Sequence, residues 1–201
     1  MKTLLLMRHA KSSWKHAEMA DHERPLNKRG NKEAPLMGSL IKEKELVPQK
    51  ILCSTAVRAV ETASLMHNKK GPASETVFLD SFYLAEPNAY LDALQALPDE
   101  IERVMVIGHN PGLEGLLQIL SGQIVPLSTA ALAHLVLPIN HWNELNLDTD
   151  AELVGTFTPH DMEEKDKKGK EKEKEKAQEK VKEKVKEKEK EKAKPKSKKK
   201  K

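Results

Sequence analysis

The sequence predicts an α/β fold: a three-layer α/β/α sandwich with a mostly parallel central sheet, followed by a charged C-terminal tail that is disordered or partly helical. Three observations predict it. Short β-rich apolar runs alternate with segments whose apolar residues recur at helical spacing, the pattern of parallel strands joined through helices. Three of those strands run into residues suited to the carboxyl edge of such a sheet, Arg8-His9, Ser54-Thr55 and Gly108-His109, where ligands bind in open α/β folds. Finally, the composition changes abruptly near residue 162.

The elements follow in order. Thr3–Met7 (TLLLM) is apolar throughout, fit for a buried strand. Lys32–Lys44 comes after Gly30 and places Leu36, Leu40 and Ile41 at helical spacing. Strand Lys50–Cys53, helix Ala56–His67, strand Thr76–Leu79 and helix Ala89–Leu97 come next. Strand Arg103–Ile107 and helix Leu113–Leu120 then lead to strands Ala131–Leu137 and Glu152–Phe157.

Residues 1–162 carry 15 Lys+Arg against 20 Asp+Glu, a net −5, while the last 39 carry 20 against 11, a net +9. The overall +4 and the pI near 8.9 therefore belong to the tail. The expected organisation is a domain at 1–162 and a low-complexity Lys/Glu-rich tail at 163–201. In the tail Glu179, Glu183 and Glu187 repel at i,i+4, while Glu179–Lys182 and Glu183–Lys186 attract at i,i+3. It has almost nothing to bury. Its final KPKSKKKK could contact polyanions or act as a nuclear signal, but a solubilising extension is the plainer reading. One cysteine, Cys53, excludes an internal disulfide framework. No apolar run reaches the ~20 residues of a membrane span, and no signal-peptide pattern opens the chain. A cytoplasmic protein is expected.

The strand ends carry the chemistry. The first delivers Arg8 and His9 to its tip. The second, ILCSTAVRAVET, passes through the Ser54-Thr55 hinge and puts Arg58 in the first helical turn. A cation there opposes the helix dipole. Either Arg58 pairs with Glu61 on its own helix, or an anion sits between it and the helix start. The third, VMVIGHNPGLEGLL, has Gly108 for close backbone approach, then His109. Asn110-Pro111 resembles an N-cap with proline at the first helical position. Arg8, His9, Arg58 and His109 thus gather at one sheet edge, beside helix N-termini that favour anions. Two guanidiniums and two imidazoles describe a pocket for a phosphoryl group, whose oxygens match the planar fork of arginine.

The motifs LLLMRHAKSSW, DHERPLNKRG, STAVRAVETA, FYLAEP and VIGHNPGLEGLL resemble the histidine phosphatase superfamily, the phosphoglycerate-mutase-like fold, over residues 1–159. Within it they are most similar to the phosphohistidine phosphatases of the SixA type. The resemblance implies a metal-free, cofactor-free site and a catalytic histidine that is transiently phosphorylated. His9 is then the nucleophile, Arg8 and Arg58 bind phosphate, and His109 completes the pocket. Superfamily members that cleave alcohol phosphates hold a carboxylic acid after the third strand. Here Asp80 and Glu86 are the only carboxylates in VFLDSFYLAEPNAY and neither sits in the acid-bearing motif. That favours a phosphoramidate, phosphohistidine in a protein, with a small-molecule phosphomonoester as the alternative. A non-enzymatic phospho-residue reader with a charged adaptor tail is the competing class.

Lys11 is a further candidate for phosphate, as is Thr129, which matches a family position near the site. Arg24 could pair with Asp21, or that segment could be an ordinary solvated loop. His16, His22, His67, His134, His141 and His160 show no metal-ligand spacing. Gly108, Gly112 and Gly115 do not form a dinucleotide fingerprint. Trp14 and Trp142 are expected to pack rather than stack on bases, so no dedicated nucleic-acid site is expected.

Overall fold

The computed structural model describes residues 1–15, 18–66 and 74–161. His16, His67 and the tail, with the conformation and polyanion contacts expected of it, lie outside the described residues. Met1–Pro159 forms one compact unit, the first of two into which the chain divides. The fold below is that of the first.

Six strands form one sheet in the order β3-β2-β4-β1-β5-β6. They are β1 (Lys2–Arg8), β2 (Lys50–Ser54), β3 (Glu75–Leu79), β4 (Arg103–Gly108), β5 (Leu132–Leu137) and β6 (Glu152–Phe157). β1 is parallel to β4, β4 to β2 and β2 to β3, whereas β5 runs antiparallel to both β1 and β6. The mostly parallel α/β sheet is as expected. Four helices cover it: α1 (Lys28–Glu43), α2 (Val57–Met66), α3 (Pro87–Gln95) and α4 (Gly112–Ser121).

Strand alternation divides the core. Leu4 and Leu6 of β1 join Val104 and Val106 of β4 in one apolar cluster with Leu91 and Leu94 of α3 and Leu113, Leu116 and Leu120 of α4. Leu5, Met7, Met105 and Ile107 point the other way by the two-residue repeat and are equally buried. α1 packs on α2 with Gly38 close against the Met66 backbone, and Ala34, Met37, Leu40 and Ile41 of α1 are buried. β1 and β4, in the middle of the sheet, therefore read as unbroken apolar runs, while β6 at its edge alternates exposed with half-buried residues.

Helix starts depart most from expectation. α1 begins at Lys28 because Asn27 caps it, its side-chain oxygen accepting from Arg29 N and Gly30 N. Asn110 does not cap α4. The N-cap is Pro111, with no side-chain bond, and the Asn110 amide donates instead to the Leu127 carbonyl at 2.9 Å. Trp142 packs as expected, buried with its indole N–H on the Ile101 carbonyl. Trp14 does not: it is 73% exposed, with the Arg24 guanidinium against its ring.

Candidate active site

The site assembles at the carboxyl ends of three neighbouring strands. Arg8 closes β1 in register with Gly108 of β4. His9 and His109 therefore leave the sheet side by side, with ring centroids 5.0 Å apart. β2 flanks β4 on its other side and ends at Ser54, whose hydroxyl lies 2.8 Å from His109 Nε2. The chain turns directly from Ser54 into α2, bringing Arg58 back over the strand ends. All four are withdrawn from solvent, His9, Arg58 and His109 almost completely.

Hydrogen bonds define the state of both rings. Arg58 donates from Nε to His9 Nε2 at 3.2 Å, and from Nη2 to His109 Nδ1 at 3.4 Å. A guanidinium only donates, so both of those ring nitrogens present lone pairs. His9 Nδ1 lies 2.8 Å from the Ala10 carbonyl, an acceptor, and so carries the proton. His109 correspondingly donates from Nε2 to Ser54. Burial first, then Arg58, Arg8 and Arg24, lowers the His9 pKa to about 4, against a raising bond to Ala10. Burial, then His9 and Arg58, lowers that of His109 to about 3. Both imidazoles are neutral at pH 7, and His9 aims a lone pair into a cationic pocket. Such a ring can act as a nucleophile.

Arg8 is anchored differently. Its Nη1 donates to the Leu127 carbonyl at 2.8 Å, the acceptor that Asn110 shares. The Leu127 N–H in turn donates to Glu114 Oε1 on α4 at 2.7 Å. Burial lowers the Arg8 pKa and Glu114 opposes the shift. The same loop returns to β1, where the Ala130 N–H reaches the carbonyls of Arg8 and His9, each at 3.1 Å. Thr129 precedes Ala130 and is half-buried, so it stands beside the His9 backbone.

Arg58 does not pair with Glu61, which accepts from the Leu26 N–H at 2.6 Å. The anion beside Arg58 is Asp21. Arg58 donates from Nη1 to its carbonyl oxygen at 2.5 Å and from Nη2 to its Oδ2 at 2.9 Å. Arg24 donates to Asp21 Oδ1 at 2.6 Å, the pairing anticipated, and the Tyr83 hydroxyl donates to Oδ2 at 2.9 Å. Desolvation raises the Asp21 pKa, but the bonds from Arg24, Tyr83 and Arg58 override it and hold the carboxyl at about 2. The segment from Ala10 to Asn27 folds back on itself through the Ser12–Leu26 bridge and places the 3₁₀ turn Asp21–Glu23 against α2.

The remaining candidates stand apart from this group. Lys11 is exposed and its side chain makes no hydrogen bond among the described residues, although its carbonyl accepts from the Asn27 N–H at 2.9 Å. Asp80 and Glu86 are exposed, and neither bonds to Arg8, His9, Arg58 or His109. Asp80 opens the 3₁₀ turn after β3 and Glu86 is the N-cap residue of α3. Tyr83, between them, is the residue of that stretch that reaches the site, edge-on to His109 at 5.8 Å between centroids. His22 joins it, 4.8 Å from Tyr83 and with Nε2 3.1 Å from the Thr55 hydroxyl. Asp21 as a hub, Tyr83 and His22 were not foreseen. Only the three-residue spacing from Asp21 to Arg24 was a signal, and it disclosed the local pair alone.

The model of the histidine phosphatase superfamily (branch 1) matches residues 4–81. An uncharacterised chloroplastic protein of Arabidopsis thaliana is 34% identical over 153 residues, which span 71% of this chain and 70% of that one. An uncharacterised protein of Mycobacterium leprae is 31% identical over 165 residues, 76% of this chain and 99% of that one. Among solved structures, a candidate phosphohistidine phosphatase SixA from Agrobacterium tumefaciens superposes with a TM-score of 0.68 at 27% identity, covering 79% of this chain and 98% of that one. The protein histidine phosphatase SixA complexed with tungstate superposes at 0.67 and 23% identity, covering 80% and 99%. With the strand-end pair Arg8-His9 and its partners in place, these likenesses make the chain a member of the histidine phosphatase superfamily, branch 1.

Proposed function

We propose that the protein is a phosphatase that removes the phosphoryl group from phosphohistidine on a protein, through a phosphoenzyme on His9. One observation carries the reading: His9 is a neutral, buried imidazole whose Nε2 lone pair faces the guanidinium of Arg58. The His9 Nε2 lone pair attacks phosphorus, and the substrate's P–N bond breaks. The leaving ring, protonated from solvent on its other nitrogen, departs as neutral imidazole with the bonding pair. His9 Nδ1 keeps its proton throughout, donating it in a hydrogen bond to the Ala10 carbonyl. Water then attacks phosphorus, the P–Nε2 bond breaks, and orthophosphate leaves with neutral His9 restored. Arg8 and Arg58 carry charge on the equatorial oxygens, where phosphoryl-transfer catalysis mostly lies.

The leaving group favours phosphohistidine over an alcohol ester. Asp80 and Glu86 are exposed and bond to none of the four site residues, and Asp21 is held ionised by three donors, so none of these three is set to protonate an alkoxide. The tungstate bound by SixA is a tetrahedral oxyanion of the kind this pocket would take. No step is assigned to a metal, and Lys11 and Thr129 are left to orient oxygens at the rim. The test is phosphate release from a phosphohistidine protein, p-nitrophenyl phosphate and glycerol phosphate, with and without a chelator. Rates should fall in that order, resist the chelator, and vanish in His9→Ala together with the acid-labile phosphate trapped on the wild type. Strong glycerol phosphate turnover, lost in Asp80→Asn or Glu86→Gln, would instead make it a small-molecule phosphatase.

A further inference from the structure

Arg58 has five N–H donors, and its four hydrogen bonds go to His9, His109 and, twice, to Asp21. Its position in the first turn of α2 offers no attraction of its own, because the helix dipole repels a cation there. Without Asp21, the guanidinium would retain only two ring nitrogens as acceptors. Asp21, by contrast, is fixed from three directions. Arg24 and Tyr83 donate to its two carboxylate oxygens. Arg24 is itself tied to the Ser12 hydroxyl at 2.8 Å and the Ser13 carbonyl at 2.9 Å, with Trp14 against its face.

We propose that Asp21 is the positioning residue of this site, an internal counter-anion that holds the Arg58 fork against His9 and limits how tightly the pocket retains orthophosphate. The proposal rests on the phosphatase reading above. Arg8, Arg24 and Arg58 bring three positive charges to the pocket, and both imidazoles are neutral. Glu114 offsets Arg8, but without Asp21 a phosphate dianion released there would meet Arg24 and Arg58 uncompensated. The Asp21 carboxylate, bonded to Arg58 Nη2, supplies the offset. It keeps Arg58 aligned when the pocket is empty and repels the product after hydrolysis. Its hydrogen-bond donors keep it charged throughout.

Asp21→Asn tests both halves. It preserves size and one acceptor oxygen but removes the charge. The expected outcome is a split: kcat on p-nitrophenyl phosphate falls on the order of 10–100-fold as Arg58 loses alignment, while inhibition by orthophosphate tightens roughly 3–10-fold. Asp21→Glu should recover part of the rate. A residue that merely supported the fold would weaken turnover and phosphate binding together, and that parallel loss would overturn the proposal, as would an unchanged kcat. A readout independent of turnover is the Arg58 Nε–H resonance in ¹⁵N spectra, assigned by its loss in Arg58→Lys. It should be protected in wild type and exchange rapidly in Asp21→Asn and Asp21→Ala. Protection that persists in both variants would also overturn the proposal. If wild type lacks phosphatase activity, the reading of the function fails, and the Nε–H signal still decides whether Asp21 holds Arg58.

Discussion

Arg8 and Arg58 are the same residue type held in opposite ways. Arg58 is clamped by a carboxylate. Arg8 hangs from one backbone carbonyl, that of Leu127, with its Nε buried and unpaired. An unpaired buried donor costs free energy that a correctly placed anion can recover, so Arg8 is the more poised of the two. Replacing either by alanine should cost about 2–4 kcal/mol of transition-state stabilisation, the scale for removing one electrostatic donor. Lysine should rescue each only partly, because it lacks the fork. Steady-state kinetics on p-nitrophenyl phosphate measure this, and near wild-type rates for Arg58→Ala would place that residue outside the chemistry. At this scale the sequence was informative where residues follow strands. Arg8, His9 and His109 could be placed because a strand end is a predictable location. Asp21 and Tyr83 could not, since they reach Arg58 across 37 and 25 residues of chain without any periodic pattern.

Among the elements, the connections between strands and helices set the site's tolerances. α4 starts hard against the segment after β3: a Cβ on Gly112 would strike the Ala85 carbonyl and crowd the Tyr90 ring. Gly30 in α1 is pressed likewise against the Lys11 backbone, two residues after His9. Gly112→Ala should therefore destabilise by about 1–3 kcal/mol, the usual penalty for overpacking a close contact, and should shift Tyr83 as the 83–87 segment yields. Denaturant unfolding gives the first quantity, and the substrate KM reports the second. Element types were legible from periodicity, while helix starts were less so. Asn27 was not recognised as the cap of α1, and Asn110, which looks like a cap, is drawn away to Leu127. Caps depend on where a short side chain finds its nearest donor or acceptor, and tertiary contacts decide that.

For the whole molecule, the buried neutral histidines make stability depend on pH. His9 and His109 have folded pKa values of about 4 and about 3, below the ordinary 6.5 that they regain on unfolding. Between those limits the unfolded chain binds protons that the folded chain refuses, so stability rises with pH there. Above pH 6.5 the penalty is absent, and it grows as pH falls through 6.5 towards 4. The melting temperature should decline over that window, and His9→Gln should flatten the decline. An identical slope in the variant would mean that His9 titrates normally. The overall α/β architecture was legible because central strands buried on both faces need apolar interiors, as Leu4–Met7 of β1 and Val104–Ile107 of β4 supply. Their pairing with each other, rather than with β2 as chain order suggests for β1, was not, since strand order leaves no mark on composition.

That pairing has a consequence for how such a protein can change. The 5.0 Å between the two rings is close to the ~4.8 Å interval at which any two neighbouring strands lie. His9 and His109 follow neighbouring strands paired in register, so the pairing of β1 with β4 is what brings the two rings together. Trp14 and Asp21 before α1, Tyr83 before α3 and Thr129 before β5, which stand around those rings, all sit on connecting segments. Such segments can be rebuilt, lengthened or exchanged without re-engineering the reactive pair. The scaffold separates reactivity from recognition, which makes new specificities reachable in small steps.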